Sequence, residues 1–214
     1  GGVTEEELRE ALATKQDTAT AVTMVQVNAA IQEALKSIVK DVWWSPIMTG
    51  ANTPSPFVAS SSSKYADYDP WKAFDGDTAT FWCANSTDTS PWIMINFGST
   101  KTFKGIQLTA RTFSTTPQIF PSKGSIQGSN NGSSWNVIAS FSGFVRQDKG
   151  QSETLLFNSV SYRYVRISGM DSGYCGMSNI EFLVPGMSVG ITTTAQSDAL
   201  SIPTAAVTAE TAEI

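Results

Sequence analysis

Apolar or small residues recur at Leu8, Leu12, Ala19, Val22, Val25, Ile31, Leu35, Ile38 and Val42, mostly in steps of three and four. That spacing predicts a helix over residues 3–42 with a coiled-coil seam. Thr4 and Glu7 stand in a capping-box arrangement at its start, and Glu5 and Glu6 complement the positive end of the helix dipole. Lys36 and Lys40 sit toward the opposite end. The rhythm slips between Val22 and Ile31, as at a stammer or break. Lys15 and Asn28 fall on or near the seam, where a polar residue can fix register. A helix of this length extends roughly 55 Å, further than a small β-domain covers. That length favours an oligomer over one long helix folded back on its own domain, and a seam short of Leu and rich in Ala, Thr and Val favours a homotrimer over a dimer.

From about residue 43 the period changes to two. Ser90–Gly98 alternates like a half-buried strand, and Gly124–Trp135 reads as a strand, an Asn-Gly turn and the start of the next strand. Tyr162–Ile167 and Ser178–Leu183 are two further strands. After Pro185-Gly186 the chain is rich in Thr and Ala and loses its period. Val189–Thr194 suits one strand; the remainder reads as an extended or disordered tail.

Composition sharpens this picture. The chain is 41% hydrophobic and 15% charged, with many short polar residues, as short strands joined by polar turns require. A net charge of −5 and the lack of a Lys/Arg run argue against a nucleic-acid surface. There is no apolar run of about 18 residues for membrane insertion, and no signal peptide is read at the N-terminus. The chain has no histidine. That excludes Ser-His-Asp and Cys-His catalysis, histidine zinc sites and histidine pH switches.

One stretch carries candidate chemistry. Between Trp71 and Trp82, Asp75, Asp77 and Thr80 surround Gly76, while Trp71, Phe74, Phe81 and Trp82 offer apolar anchors. Oxygen donors around a glycine turn suit a hard cation such as calcium; an acidic surface turn is the alternative. Two carboxylates on one turn are poorly placed for the two sides of a glycosidic bond. The chain reads as non-enzymatic.

Taken in order, the segments from about Ile47 to Val184 resemble the discoidin family, also called coagulation factor 5/8 type C, and the related galactose-binding-like carbohydrate-binding modules. The run from Ala11 to Asp17 resembles stalk sequences of phage tail fibres. The resemblance implies a mainly β fold: a discoidin-like β-sandwich (jelly-roll) over 43–184, preceded by an α-helical coiled coil over 3–42 and followed by a tail over 185–214. It implies a structural calcium ion held by the Asp75 and Thr80 side chains, the carbonyls of Lys72, Asp77, Thr80 and Ser178, and Asn179. The family usually has a glutamate where Asn179 stands, which lowers the expected affinity.

If those ligand segments meet at one ion, Cys83 and Cys175 lie near one another, as a disulfide or as two buried thiols. For ligand binding the resemblance points to loops at one end of the sandwich. Arg111 occupies the place of a sugar-binding arginine, or else forms a salt bridge with Asp148 or Glu153. Tyr65, Tyr68, Asn85, Phe113, Phe120 and Tyr174 are further loop candidates, whereas Trp82, Trp92 and Trp135 read as core. The implied function is a carbohydrate-binding adhesin of a phage or prophage tail fibre, on the virion surface, recognising a host glycan. A structural part docking other virion proteins and a bacterial or extracellular adhesion domain remain alternatives.

Overall fold

The computed structural model describes residues 4–15, 26–27, 29–30, 33, 40–112 and 116–186. Residues 5–15 form a helix, and its predicted cap is in place. The Thr4 N–H donates to Glu7 Oε2 at 2.8 Å, and the Glu7 N–H returns to Thr4 Oγ1 at 3.3 Å. Each bond satisfies a donor that a helix start leaves without a partner. Leu8 and Leu12 are 64% and 66% exposed. The coiled coil expected over 3–42 is not shown: the described helix is short, and Ala19, Val22, Val25, Ile31, Leu35 and Ile38 lie outside the described residues. The tail from 187 onward also lies outside them.

The sandwich is built from β1 (Val42–Trp44), β2 (Val58–Ser61), β3 (Trp82–Cys83), β4 (Ile93–Thr109), β5 (Lys123–Ser129), β6 (Asn136–Ser142), β7 (Ser152–Ser168), β8 (Gly176–Met177) and β9 (Asn179–Val184), with a 3-10 turn at Pro70–Ala73. The strands run β1-β9-β4-β7-β5-β6, β2 pairs with β4, and β3-β8 form a separate ribbon. Because Val42 already pairs with Val184, the β-domain begins one residue before the predicted boundary.

Two 17-residue strands, β4 and β7, take part in both layers. The first part of β4, Ile93–Asn96, lies between β2 and Tyr164–Ile167 of β7, which in turn borders β5 and then β6. The last part, Gly105–Thr109, lies between β9 and Ser152–Leu156 of β7. Register shifts at Asn96/Lys101 and Phe103/Gly105 separate the two parts. Bulges bend and twist a strand, and here they carry it from one layer into the other. Burial follows the same change: Ile93, Ile95, Phe97 and Phe103 face inward on odd positions, Ile106 and Leu108 on even ones.

The core lies between the layers. Phe182 stands edge-on to both Phe97 and Phe103, at 5.1 and 5.4 Å between ring centroids. Trp82 is fully buried, and its indole N–H donates to the Ser63 carbonyl at 3.1 Å. The Asn-Gly turn is present: Asn131 Oδ1 accepts the N–H groups of Ser133 and Ser134, and Gly132 takes φ 75°, a conformation that suits glycine.

Candidate functional site

The loop after the 3-10 turn gathers oxygens around the Thr80 hydroxyl. Thr80 Oγ1 lies 2.5 Å from Asp75 Oδ2, 3.1 Å from the Asp77 carbonyl and 3.4 Å from the Lys72 carbonyl. Gly76, at φ 76°, lets the chain turn so tightly. Asp75 Oδ1 accepts the Asp77 N–H, while the Asp77 carboxylate caps the Ala79 N–H. Asp77 therefore offers its carbonyl to the cluster. Burial pushes the Asp75 carboxyl above its ordinary value, against the pull of the Thr80 hydroxyl and the Asp77 N–H.

The second predicted ligand segment is nearby, because β9 packs against the 3-10 turn. Asn179, the first residue of β9, is 6% exposed, and its Oδ1 is buried without a hydrogen-bond partner. The Ser178 hydroxyl is spent on the carbonyls of Thr109 and Ala110. Among the described residues no three of His, Cys, Asp and Glu gather. A cation here would rest on carbonyl, hydroxyl and amide oxygens, with Asp75 the charged ligand. Such hard donors suit calcium, and the orphaned Asn179 oxygen is an acceptor that a cation would satisfy.

A cleft of about 460 Å³ opens where the loops before β3, after β4 and before β8 meet. Tyr65, Tyr68, Arg111 and Tyr174 line it, as do Phe81, Cys83, Thr116, Pro117 and Ile119. Its aromatic wall is continuous. Tyr68 stacks on Phe81 at 4.2 Å, Tyr65 lies 6.1 Å from Tyr68, and Tyr174 meets Tyr65 edge-on at 4.9 Å. Backbone bonds from Tyr65 N–H to the Cys83 carbonyl and from Cys83 N–H to the Tyr68 carbonyl clamp this loop to β3. A hydrogen bond with Tyr174 pushes the Tyr65 phenol above its ordinary value.

Arg111 departs from the expected open loop mouth. It is 7% exposed, its Nε lies 2.8 Å from Asp148 Oδ2, and its Nη2 donates to the Pro117 carbonyl at 2.9 Å. Of the two carboxylates weighed as partners, Asp148 takes the role. Asp148 is fully buried and also accepts the N–H groups of Ile119 and Phe120. It ties the loop before β7 to the loop after β4, so it shapes the cleft without lining it.

Three other expectations need correction. Phe120 is fully buried in the core near Phe144, so it offers no ring to a ligand. Asn85 does not line the cleft; its Oδ1 caps the N–H and hydroxyl of Thr87. The two cysteines are neighbours, yet both are free. Cys83 lies opposite Gly176 and Ala84 donates to the Cys175 carbonyl, so the thiols occupy alternate faces of the β3-β8 ribbon. Cys83 packs with Phe81 and Ile119 behind the cleft, while Cys175 lies in the main core 3.7 Å from Met170 Sδ. Burial pushes the Cys83 thiol up to about 12 and raises Cys175 as well. Phe113 lies outside the described residues.

The profile of the family described as F5/8 type C domain matches residues 57–182. Solved structures share the fold. CpGH89CBM32-5 from Clostridium perfringens, in complex with GalNAc-β-1,3-galactose, is 18% identical with a TM-score of 0.53, over 60% of this chain and 95% of its own. The family 32 carbohydrate-binding module of NanJ from the same organism, in complex with galactose, is 19% identical with a TM-score of 0.52, over 59% and 92%. CBM32-3 from a family 31 glycoside hydrolase of Clostridium perfringens is 17% identical with a TM-score of 0.53, over 62% and 92%. No curated protein matches the chain.

Proposed function

This chain belongs to the F5/8 type C domain family, and on that premise we propose that it is a non-catalytic carbohydrate-binding module whose sugar site is the aromatic cleft. The carrying observation is the aromatic wall of Tyr65, Tyr68 and Tyr174, with Phe81 stacked behind Tyr68, in a polar-edged cleft that Arg111, paired with Asp148, also lines. Sugars offer one face of C–H groups to an aromatic ring and a rim of hydroxyls to polar groups, and this cleft supplies both surfaces. Two structures of similar fold hold galactose or a galactose-containing disaccharide, which supports the ligand class. A glycan array with the full chain, alongside Tyr65→Ala and Tyr174→Ala variants, tests the reading. Wild-type binding to defined glycans that both variants lose supports it; equal binding by all three proteins refutes the cleft as the site.

The loop oxygens around Thr80, with Asn179, are proposed as a calcium site that pins the neighbouring loops and takes no part in chemistry. Its support is the convergence of Asp75, Asp77, Lys72 and Thr80 oxygens and the orphaned Asn179 oxygen. The wider setting we propose is a tail-fibre or receptor-binding protein of a phage or prophage, acting at the virion surface on a host glycan, with residues 3–42 joining three copies. The capped helix that leaves Leu8 and Leu12 exposed supports self-association. Three weak sites on one stalk would bind a cell surface through effective concentration.

A further inference from the structure

The outer face of the sheet made by β2, the first part of β4, the last part of β7, β5 and β6 carries charge of one sign. Residues 89–147 and 154–170 supply all of those strands except β2 and contain no Asp or Glu, although the whole chain has a net charge of −5. β2 has none either. Lys123 and Gln127 of β5, with Tyr164 and Arg166 of β7, point outward, since Ile126, Val165 and Ile167 between them fill the core. Arg166 donates from Nε and Nη2 to Gln127 Oε1 at 3.0 and 2.7 Å, and its guanidinium lies 4.2 Å from the centroid of the Trp135 ring. Trp135, expected in the core, is half-buried and stands outside the core cluster. Arg163 is held in the same manner. Its Nε donates to Asn96 Oδ1 at 3.2 Å, and its guanidinium lies 5.2 Å from the Tyr164 ring.

Two guanidinium groups are therefore fixed by an amide and a ring, with no acid to balance them. Among the described residues neither they nor the exposed Lys123 have a carboxylate within ion-pair distance, whereas Lys64, Lys104, Arg111 and Arg146 each have one. Asp88, before β4, and Asp171, after β7, are engaged elsewhere: Asp88 by Ser62, Ser63 and Ser90, Asp171 by Ser122. An amide orients a guanidinium without neutralising it, so the remaining donors of each fork stay available to an anion from outside.

We propose that this sheet face is a second binding surface, for an anionic polysaccharide whose carboxylate or phosphate groups meet Arg163, Arg166 and Lys123. Between those cations the face offers amides and the hydroxyls of Ser125 and Ser140, themselves 3.1 Å apart, which suit a ligand dense in hydroxyl groups. Three cations on an acidic chain are few for a nucleic-acid backbone, and the Trp135 and Tyr164 rings already carry a guanidinium each. None of the residues lining the cleft lies on this face, so the two surfaces are independent.

Affinity electrophoresis of the full chain through gels containing polygalacturonate, phosphomannan or neutral dextran tests the assignment, with single-stranded DNA as a competitor. One or both anionic polymers should retard the chain and dextran should not, with the retardation fading between about 0.05 and about 0.2 M salt. The two anionic gels distinguish carboxylate from phosphate as the preferred group. Arg166→Gln and Arg163→Gln should each weaken binding about tenfold, the scale of a charged hydrogen bond. Lys123→Gln, an exposed change that the fold tolerates, should weaken it less but in the same direction, and Tyr65→Ala should leave it unchanged. Equal retardation by dextran, none by either anionic polymer at low salt, tighter binding of DNA, loss through Tyr65→Ala, or undiminished binding by Arg163→Gln and Lys123→Gln chains that melt cooperatively overturns the inference. A chain that binds an anionic polymer here yet no glycan at the cleft overturns the cleft reading alone.

Discussion

Asp75 makes the cation assignment testable through its own titration. Its folded pKa is raised by burial, so in the metal-free protein the folded state binds the proton more tightly than the unfolded chain. Stability then falls as pH rises through the window from the ordinary aspartate value to the raised one. Asp75→Asn should remove that slope and leave the melting temperature in chelator equal or higher. In millimolar calcium the same substitution should lower it, since a ligand of the native state stabilises by mass action. Calorimetric melts at two pH values, with calcium and with chelator, read both effects; a wild type indifferent to calcium rejects the site. Asp148 gives a second prediction at this scale. Asp148→Ala leaves a buried Arg111 and two buried N–H groups without their acceptor, and should cost about 3–5 kcal/mol in urea unfolding. The two residues differed in legibility. Asp75 stood out because glycine, acid and hydroxyl cluster in a few positions, whereas Asp148 acquires its meaning only when three distant segments converge on it. Phe120 was misread because an aromatic between polar residues looks alike in the sequence whether it faces ligand or core.

The β3-β8 ribbon shows how little freedom an element can have. A Cβ at Gly176 would stand 2.0 Å from the Trp82 carbonyl oxygen, a backbone atom with no means of moving aside. Gly176→Ala should therefore destabilise the fold by roughly 2 kcal/mol or more and weaken sugar binding along with it, because the ribbon backs the cleft. Urea unfolding and titration of one sample check both. The placement of the thiols on alternate faces adds a simple expectation: melting curves with and without reductant should superimpose. Most strands were legible from alternation alone. The great length of β4 and β7 was not, because the bulges that carry them between layers answer to tertiary packing and leave the local pattern broken over Gly98–Phe103.

For the whole molecule, the predicted stalk should be separable from the head. Sedimentation of residues 1–214 should report an oligomer and residues 41–214 a monomer, at micromolar concentration; a monomeric full chain removes the stalk from the proposal. The cut belongs before Val42 because that residue pairs with Val184. The apolar seam was the clearest periodic signal in the chain, yet most of its positions lie outside the described residues, so the sedimentation comparison decides its reading. The β-domain, by contrast, closes on itself, and its sequence pattern, its profile match at residues 57–182 and its strand order agree.

The pairing of β1 with β9 also decides how the domain bears load. The chain enters at Val42 and leaves at Val184, side by side, while Asn179 and Thr109 pair at the far end of β9, next to the cleft residues Tyr174 and Arg111. A pull between the entering chain and a captured ligand runs along the strands and strains many cross-strand hydrogen bonds together. A pull between the entering and leaving chain runs across them and opens β1 from β9 one bond at a time. In single-molecule pulling, the first geometry should yield at a distinctly higher force than the second, so the same head would be firm when tugged by its target and readily unzipped when stretched from its own two ends.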